Sequence, residues 1–224
     1  MVEWSIEACR AAGSVGSIVV ACPPGHVHEL AGRDIGAVEG GATRSQSVAN
    51  ALRAVGTEYV AIHDAARPLV TPELIEDVVA ALAANPDASG AIAATPVTDT
   101  IKLTAQGCNA LSPQDGEKAL HPDPAHGCNA LTPCEGEKTL HQVEMTLDRE
   151  RLWAAQTPQV FRVAALREAL DDDPCRVAAA TDESMLIEAT GGKVLIHSSL
   201  AENFKVTTPL DLKLAEQLLV ERAR

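Results

Sequence analysis

Several stretches of this 224-residue chain carry side chains of the kind that handle phosphate. His63-Asp64-Ala65-Ala66-Arg67-Pro68 follows directly on the apolar run Tyr59 to Ile62. In an open α/β sheet, residues just past a strand's carboxyl end face the ligand. There Asp64 suits a divalent cation and Arg67 suits a fork onto a phosphate, while a surface pair between the two is an equally good reading. Gly40-Gly41-Ala42-Thr43-Arg44-Ser45-Gln46-Ser47 puts two flexible residues and several hydroxyls before a helix, whose free N–H groups favour an anion or a ligand's polar edge; a plain turn with an N-cap has the same pattern. Thr100 in Pro96-Val97-Thr98-Asp99-Thr100-Ile101-Lys102, Arg149 in Asp148-Arg149-Glu150-Arg151, and Thr157 in Gln156-Thr157-Pro158-Gln159 are donors that a phosphate ester would use, and each is also an ordinary loop residue. Lys205, in Glu202-Asn203-Phe204-Lys205-Val206-Thr207, adds a cation or a solvated lysine.

The elements that must position these residues alternate. Glu3 to Ala12 has helical spacing, and Ser17 to Cys22 reads as a buried strand. Arg44 to Val55 is helical, with Val48, Leu52 and Val55 on one face; Tyr59 to Ile62 is a short strand. Thr71 suits an N-cap and Pro72 the first turn of a helix running to Asn85. Gly90 to Val97 is another apolar strand. Helices follow near Arg162 to Leu170, Asp182 to Ala189 and Pro209 to Arg222, with a strand at Val194 to Ser198. Strands alternating with helices predict an α/β sandwich around a mostly parallel sheet.

Composition narrows the function. With 46% apolar and 22% charged residues the chain is one ordinary globular domain, residues 1–224. Eighteen Lys and Arg against 31 Asp and Glu leave a net charge of -13, which argues against nucleic acid as a partner. The few aromatic residues offer no base-stacking platform. Its apolar runs fall short of the roughly 20 residues of a membrane helix, and Met1 to Glu7 resembles no secretory signal, so a cytoplasmic site is expected. Six cysteines without a CxxC pair read as free thiols.

Residues 107–121, GCNALSPQDGEKALH, recur at 127–141 as GCNALTPCEGEKTLH, with 11 of 15 positions identical. Two copies are too few for a solenoid, so the segment reads as a tandem duplication within a surface arm spanning residues 103–147. It gathers Cys108, Cys128, Cys134, His121, His126 and His141, but without the tight pairs of a zinc site, and duplication alone makes Cys and His recur.

Taken in order, GGATRSQSV, HDAARP, PVTDTIK, LDRERLWAAQTPQVF, TDESMLIE and NFKVTTPLDLKLAE closely resemble the 2-C-methyl-D-erythritol 4-phosphate cytidylyltransferases of the non-mevalonate isoprenoid pathway. The resemblance runs from Glu3 to the C-terminus. It implies a Rossmann-like nucleotidyltransferase sandwich with a projecting β-arm that embraces a second subunit in a homodimer. It also implies that CTP and methylerythritol phosphate give the CDP-alcohol and pyrophosphate, with Mg2+ as the cofactor. By matching motifs, Gly41, Ala42 and Ser47 fall in the cytosine and ribose pocket, and Asp64 lies near the metal and nucleotide. Arg67, Arg149, Thr157 and Lys205 grip the methylerythritol phosphate, which Thr100 of the partner subunit also reaches. At neutral pH a phosphate monoester is mostly a dianion and needs no strong general base, so no histidine is required for catalysis and His63 reads as a strand-end residue. Ribitol 5-phosphate is a competing substrate, and a non-catalytic chain is the remaining reading.

The chain departs from the family's pattern at its start. Family members open with a strand and an A-A-G-x-G-x-R loop that wraps the triphosphate, and Met1 aligns only after that loop, so the domain is expected to be N-terminally incomplete and the chain inactive or impaired. Ala11 to Gly16 mimics the loop but follows a helix, and reads as a helix C-terminal turn with Gly13 at C′.

Overall fold

The structure, a computed structural model, describes residues 1–104 and 141–222. These form two compact units, one running to Thr95 and resuming at Ala154, the other between Pro96 and Trp153. The repeat and its cysteines, with His121 and His126, lie outside the described residues.

The larger unit opens with α1 (Val2–Ala11), capped at Ala12, so Gly13 falls at C′ as the sequence predicts. Strands β1 (Val19–Cys22) and β2 (Gly36–Glu39) pair in parallel. Helix α2 (Arg44–Leu52) is capped by Thr43, whose hydroxyl accepts the Gln46 N–H at 3.2 Å. Next come β3 (Tyr59–Ile62) and α3 (Pro72–Ala83), the latter capped by Thr71 accepting from the Leu74 N–H at 3.2 Å. Both caps satisfy a helix N–H that would otherwise lack a partner. Strand β4 (Gly90–Pro96) has five successive buried residues, as a strand covered on both faces must.

The smaller unit holds an antiparallel β-arm, β5 (Lys102–Thr104) and β6 (Val143–Thr146), followed by a 3-10 turn at Arg149–Arg151. Strand β7 (Trp153–Arg162) returns the chain to the larger unit, which ends with α4 (Val163–Leu170), α5 (Pro174–Ala179), α6 (Glu183–Ala189), β8 (Val194–Ser198) and α7 (Pro209–Arg222).

The main sheet has the order β3-β7-β4-β8. Its β4–β8 pair is parallel but β3–β7 is antiparallel, so the sheet is only partly parallel, against the expectation of a mostly parallel one. The cause is topological. The Val97 N–H donates to the Leu152 carbonyl at 3.0 Å, so the chain leaves β4 and re-enters β7 at the same end, and β7 has to run the other way. Alternation along the strands then feeds two cores. Ile92 and Phe161 pack with Leu52, Leu166, Leu186 and Ile187 on the α2, α4 and α6 side, while Ala91, Ala93 and Val160 pack with Val78 and Leu82 of α3 on the other. Strand β1, expected to be buried, is buried only at Cys22.

Gly90 lies where Phe161 crosses it. A Cβ there would sit 2.5 Å from Phe161 Cδ1, inside van der Waals contact with a ring that has no room to turn. Gly90→Ala is expected to lower unfolding stability by about 2 kcal/mol through overpacking, measured as a shift in the urea midpoint at unchanged slope.

Candidate active site

The site is assembled at the carboxyl end of β3. Asp64 leaves that strand end half-buried, and both its oxygens meet cations. Oδ1 accepts from Arg44 Nε at 3.3 Å and Nη2 at 3.2 Å, and Oδ2 lies 3.3 Å from Lys205 Nζ. The surface pair between Asp64 and Arg67 that the sequence left open is not among the ion pairs of the described residues. Burial pushes the Asp64 carboxyl up, and the Arg44 and Lys205 charges outweigh it, holding the group below its ordinary value.

Arg44 also donates to Glu183, whose side chain is 0% exposed. Arg44 is the first residue of α2, where the positive end of the helix dipole disfavours a cation. Two carboxylates, one from each side, offset that cost. Glu183 in turn is set by its neighbour: Asp182 caps α6 by accepting the Met185 N–H at 3.0 Å and takes the Gln159 side-chain amide at 3.0 Å, which ties the helix start to β7. Burial raises the pKa of Glu183, and Arg44 offsets part of that rise.

Behind Asp64 runs a relay of neutral hydrogen bonds. The Asp64 N–H donates to Thr157 Oγ1 at 3.1 Å, and Thr157 Oγ1 lies 3.0 Å from His63 Nδ1. His63 Nε2 is 3.1 Å from the Arg67 carbonyl, which can only accept, so Nε2 carries the proton and Nδ1 accepts from Thr157. A protonated ring would reverse the Thr157 bond, with Nδ1 donating to the hydroxyl oxygen. Burial lowers the His63 pKa to about 4, which keeps the imidazole neutral and makes it a strand-end brace.

Arg67 is turned to the main chain. Its Nη1 donates to the Asn203 carbonyl at 2.8 Å and its Nη2 to the Ala155 carbonyl at 3.3 Å. Asn203, buried, donates to Gln156 Oε1 and the Thr157 carbonyl, both at 2.9 Å, and the Val206 N–H reaches the Ala66 carbonyl at 2.8 Å. Arg67, Asn203 and Thr157 therefore fix the backbone on either side of Lys205 and Asp64. Gly41 and Ser47 meet at the start of α2, where Ser47 Oγ accepts the Gly41 N–H at 3.0 Å and the Ala42 N–H donates to Gln46 Oε1 at 2.9 Å. A Cβ at Gly41 would come 2.3 Å from Gln46 Cβ, so only glycine fits this turn.

Of the residues expected from sequence, the larger unit brings Asp64, Arg67, Thr157, Lys205, Gly41, Ala42 and Ser47 into one neighbourhood. Thr100 and Arg149 belong to the smaller unit, both exposed, with Arg149 Nη1 donating to the Thr98 carbonyl at 2.9 Å. Sequence reasoning missed Arg44, Glu183 and Asn203 as parts of the site. A cation in the first turn of α2 was a usable signal, because it requires a tertiary partner; Glu183 gave none, since an acid in a first turn is normal. Among the described residues no group of three or more His, Cys, Asp or Glu gathers for a metal. Asp64 alone fits an ion of the magnesium type, which takes one or two carboxylates and completes its shell from phosphate and water, displacing Lys205 or Arg44 from one oxygen.

An α/β sandwich with a β-arm is the architecture of a nucleotidyltransferase. The fold superposes on the 2-C-methyl-D-erythritol 4-phosphate cytidylyltransferase of Thermus thermophilus with a TM-score of 0.70 and 31% identity, over 97% of this chain and 88% of that one. The sequence profile of IspD, 2-C-methyl-D-erythritol 4-phosphate cytidylyltransferase, matches residues 1–118 and 133–221, and the gap falls within the tandem repeat. The cytidylyltransferase of Synechococcus sp. (strain JA-3-3Ab) is 35% identical over 99% of this chain and 86% of its own length. A bifunctional IspD/IspF enzyme of Anaeromyxobacter sp. (strain Fw109-5) is 39% identical over 95% of this chain, which spans 48% of that longer protein. The chain belongs to the 2-C-methyl-D-erythritol 4-phosphate cytidylyltransferase family.

Two outcomes are expected from this geometry. His63 stays neutral in the fold down to about pH 4, whereas in the unfolded chain it protonates near its ordinary 6.5, so its contribution is complete above 6.5 and is lost as pH falls from there towards 4. A His63→Gln variant should lack that slope, seen as a difference in urea unfolding of about 2 kcal/mol between pH 7 and pH 4.5. Glu183→Leu leaves Arg44 half-paired and should cost about 3 kcal/mol; adding Arg44→Met should recover part of the loss, which a double-mutant cycle measures.

Proposed function

We propose that this chain transfers the cytidylyl group of CTP to 2-C-methyl-D-erythritol 4-phosphate, releasing pyrophosphate, as a cytoplasmic homodimer with Mg2+. The observation that carries this reading is the cluster at the end of β3: Asp64 held between Arg44 and Lys205, beside the Gly41–Ser47 turn at the start of α2. A phosphate monoester oxygen of the acceptor attacks the α-phosphorus of CTP; the new P–O bond forms as the bond to the bridging oxygen of the leaving pyrophosphate breaks. The attacking dianion needs no general base, so the demand falls on charge and position.

Each residue has a task on that reading. Lys205, Arg149 and Thr100 of the partner subunit hold the acceptor phosphate, offsetting the repulsion between two anions. Gly41, Ala42 and Ser47 face the cytosine and ribose. Arg67 and Thr157, whose polar groups are engaged by main chain and by His63, keep the Lys205 and Asp64 segments in register. A magnesium ion on Asp64 would stabilise charge on the triphosphate.

The test is pyrophosphate release from CTP by the full chain with each acceptor in turn. Methylerythritol phosphate is expected to support release and ribitol 5-phosphate is not; the reverse order would move the assignment to the other polyol. Lys205→Met should lower kcat/KM for the acceptor about 100-fold, or about 2.7 kcal/mol, with little effect on CTP binding. No release with either acceptor, and no acceptor binding by calorimetry, would sink the reading.

A further inference from the structure

We propose, resting on the reading of Asp64 as the carboxylate that takes the metal, that Glu183 is a positioning residue: through Arg44 it sets whether the site favours a divalent cation or an anion. Four charged groups stand in a row of alternating sign. Glu183 Oε2 accepts from Arg44 Nη1, Arg44 Nε and Nη2 donate to Asp64 Oδ1 at 3.3 and 3.2 Å, and Asp64 Oδ2 lies 3.3 Å from Lys205 Nζ. The Glu183 side chain is 0% exposed and that of Lys205 46%, so the row runs from the core to the surface. Across it the charges cancel.

Packing does not call for an acid at position 183. Glu183 Oε1 is buried without a hydrogen-bond partner, so the side chain is desolvated on both oxygens and paired on one. An apolar pair in place of Glu183 and Arg44 would avoid that desolvation altogether. The start of α6 has its own cap in Asp182, which accepts from the Met185 N–H and from the Ser184 hydroxyl at 2.9 Å. What an apolar residue cannot supply is a negative charge.

That charge is felt at the other end of the row. Without Glu183, two cations would surround one carboxylate, and a divalent cation approaching Asp64 would meet a surplus of positive charge. With Glu183 in place the surplus is gone, and the approaching cation has only to turn aside Lys205, whose flexible stem lets it move. A phosphate feels the same charge with the opposite sign. A buried charge is weakly screened, and only one guanidinium separates this one from Asp64. Glu183 therefore acts on the choice between the two ligands. A carboxylate that merely steadied Arg44 would act on both ligands in the same direction.

The experiment compares the full chain with Glu183→Gln, which keeps the shape of the side chain and an acceptor for Arg44 and removes the charge. Asp182 beside Glu183 and Arg67 near Asp64 are common to every variant, so their fields drop out of the comparison. Two probes are titrated at neutral pH and low salt without nucleotide: Mn2+ alone, followed by water-proton relaxation, and inorganic phosphate alone, followed by calorimetry. Asp64→Asn defines the part of the Mn2+ binding that belongs to Asp64. Glu183→Gln is expected to weaken that part about tenfold and to tighten phosphate about threefold. The double variant Glu183→Leu with Arg44→Met removes both charges and is expected to return both affinities to within about twofold of the unaltered chain. It also decides the matter if Glu183→Gln fails to fold, because loss of both ligands in the folded double variant overturns the proposal. So do affinities that fall together or stay unchanged in a folded Glu183→Gln, and Mn2+ binding that is indifferent to Asp64→Asn. Pyrophosphate release by the unaltered chain is measured separately, so failure of the transfer reaction and failure of this role for Glu183 are told apart.

Discussion

Arg44 is the constraint from which the site is built. A guanidinium at the first position of a helix works against the helix dipole, and it is kept there because Asp64 of the β3 end and the buried Glu183 of α6 approach it from two directions. One side chain thereby joins α2, β3 and α6, elements that sequence separates by as much as 139 positions. A carboxylate as deeply buried as Glu183 is tolerable only when paired, so the pairing fixes where α6 begins, and Asp182 with Gln159 holds that start against β7. Asp64 is left with one oxygen towards Arg44 and the other towards Lys205, poised among cations that an incoming phosphate could share.

A second layer of hydrogen bonds braces the site. His63, Thr157 and the Asp64 amide form a chain of bonds with one direction of proton donation, and Arg67 fastens the Asn203 segment to the strand it faces. Such groups do not touch the chemistry. They set the position of those that do.

β7 runs against its neighbour because the chain leaves and re-enters at one end, and the two-stranded β1–β2 ribbon shares no edge with the main sheet among the described residues. Both facts come from connectivity.

Much of this was legible in the chain itself. The strand Tyr59–Ile62, the Thr71-Pro72 helix start, the strand Val194–Ser198 and the helix Pro209–Arg222 are all found where periodicity and capping put them, since those signals are local. The order of the motifs sufficed for the family. Sequence missed β2, whose four residues carry no alternation strong enough to read, and it took β7 for a loop motif because Gln156, Thr157 and Gln159 are polar yet buried. It also left Arg67 and Asp64 the choice of pairing with each other; adjacency in the chain made that pair look natural, and the fold sent each elsewhere. Local hydrogen bonding and side-chain spacing are written in neighbouring residues, so the sequence determined the elements and the cast of charged side chains. Which carboxylate meets which cation and which way β7 runs depend on contacts between distant segments, and only the tertiary structure decided them.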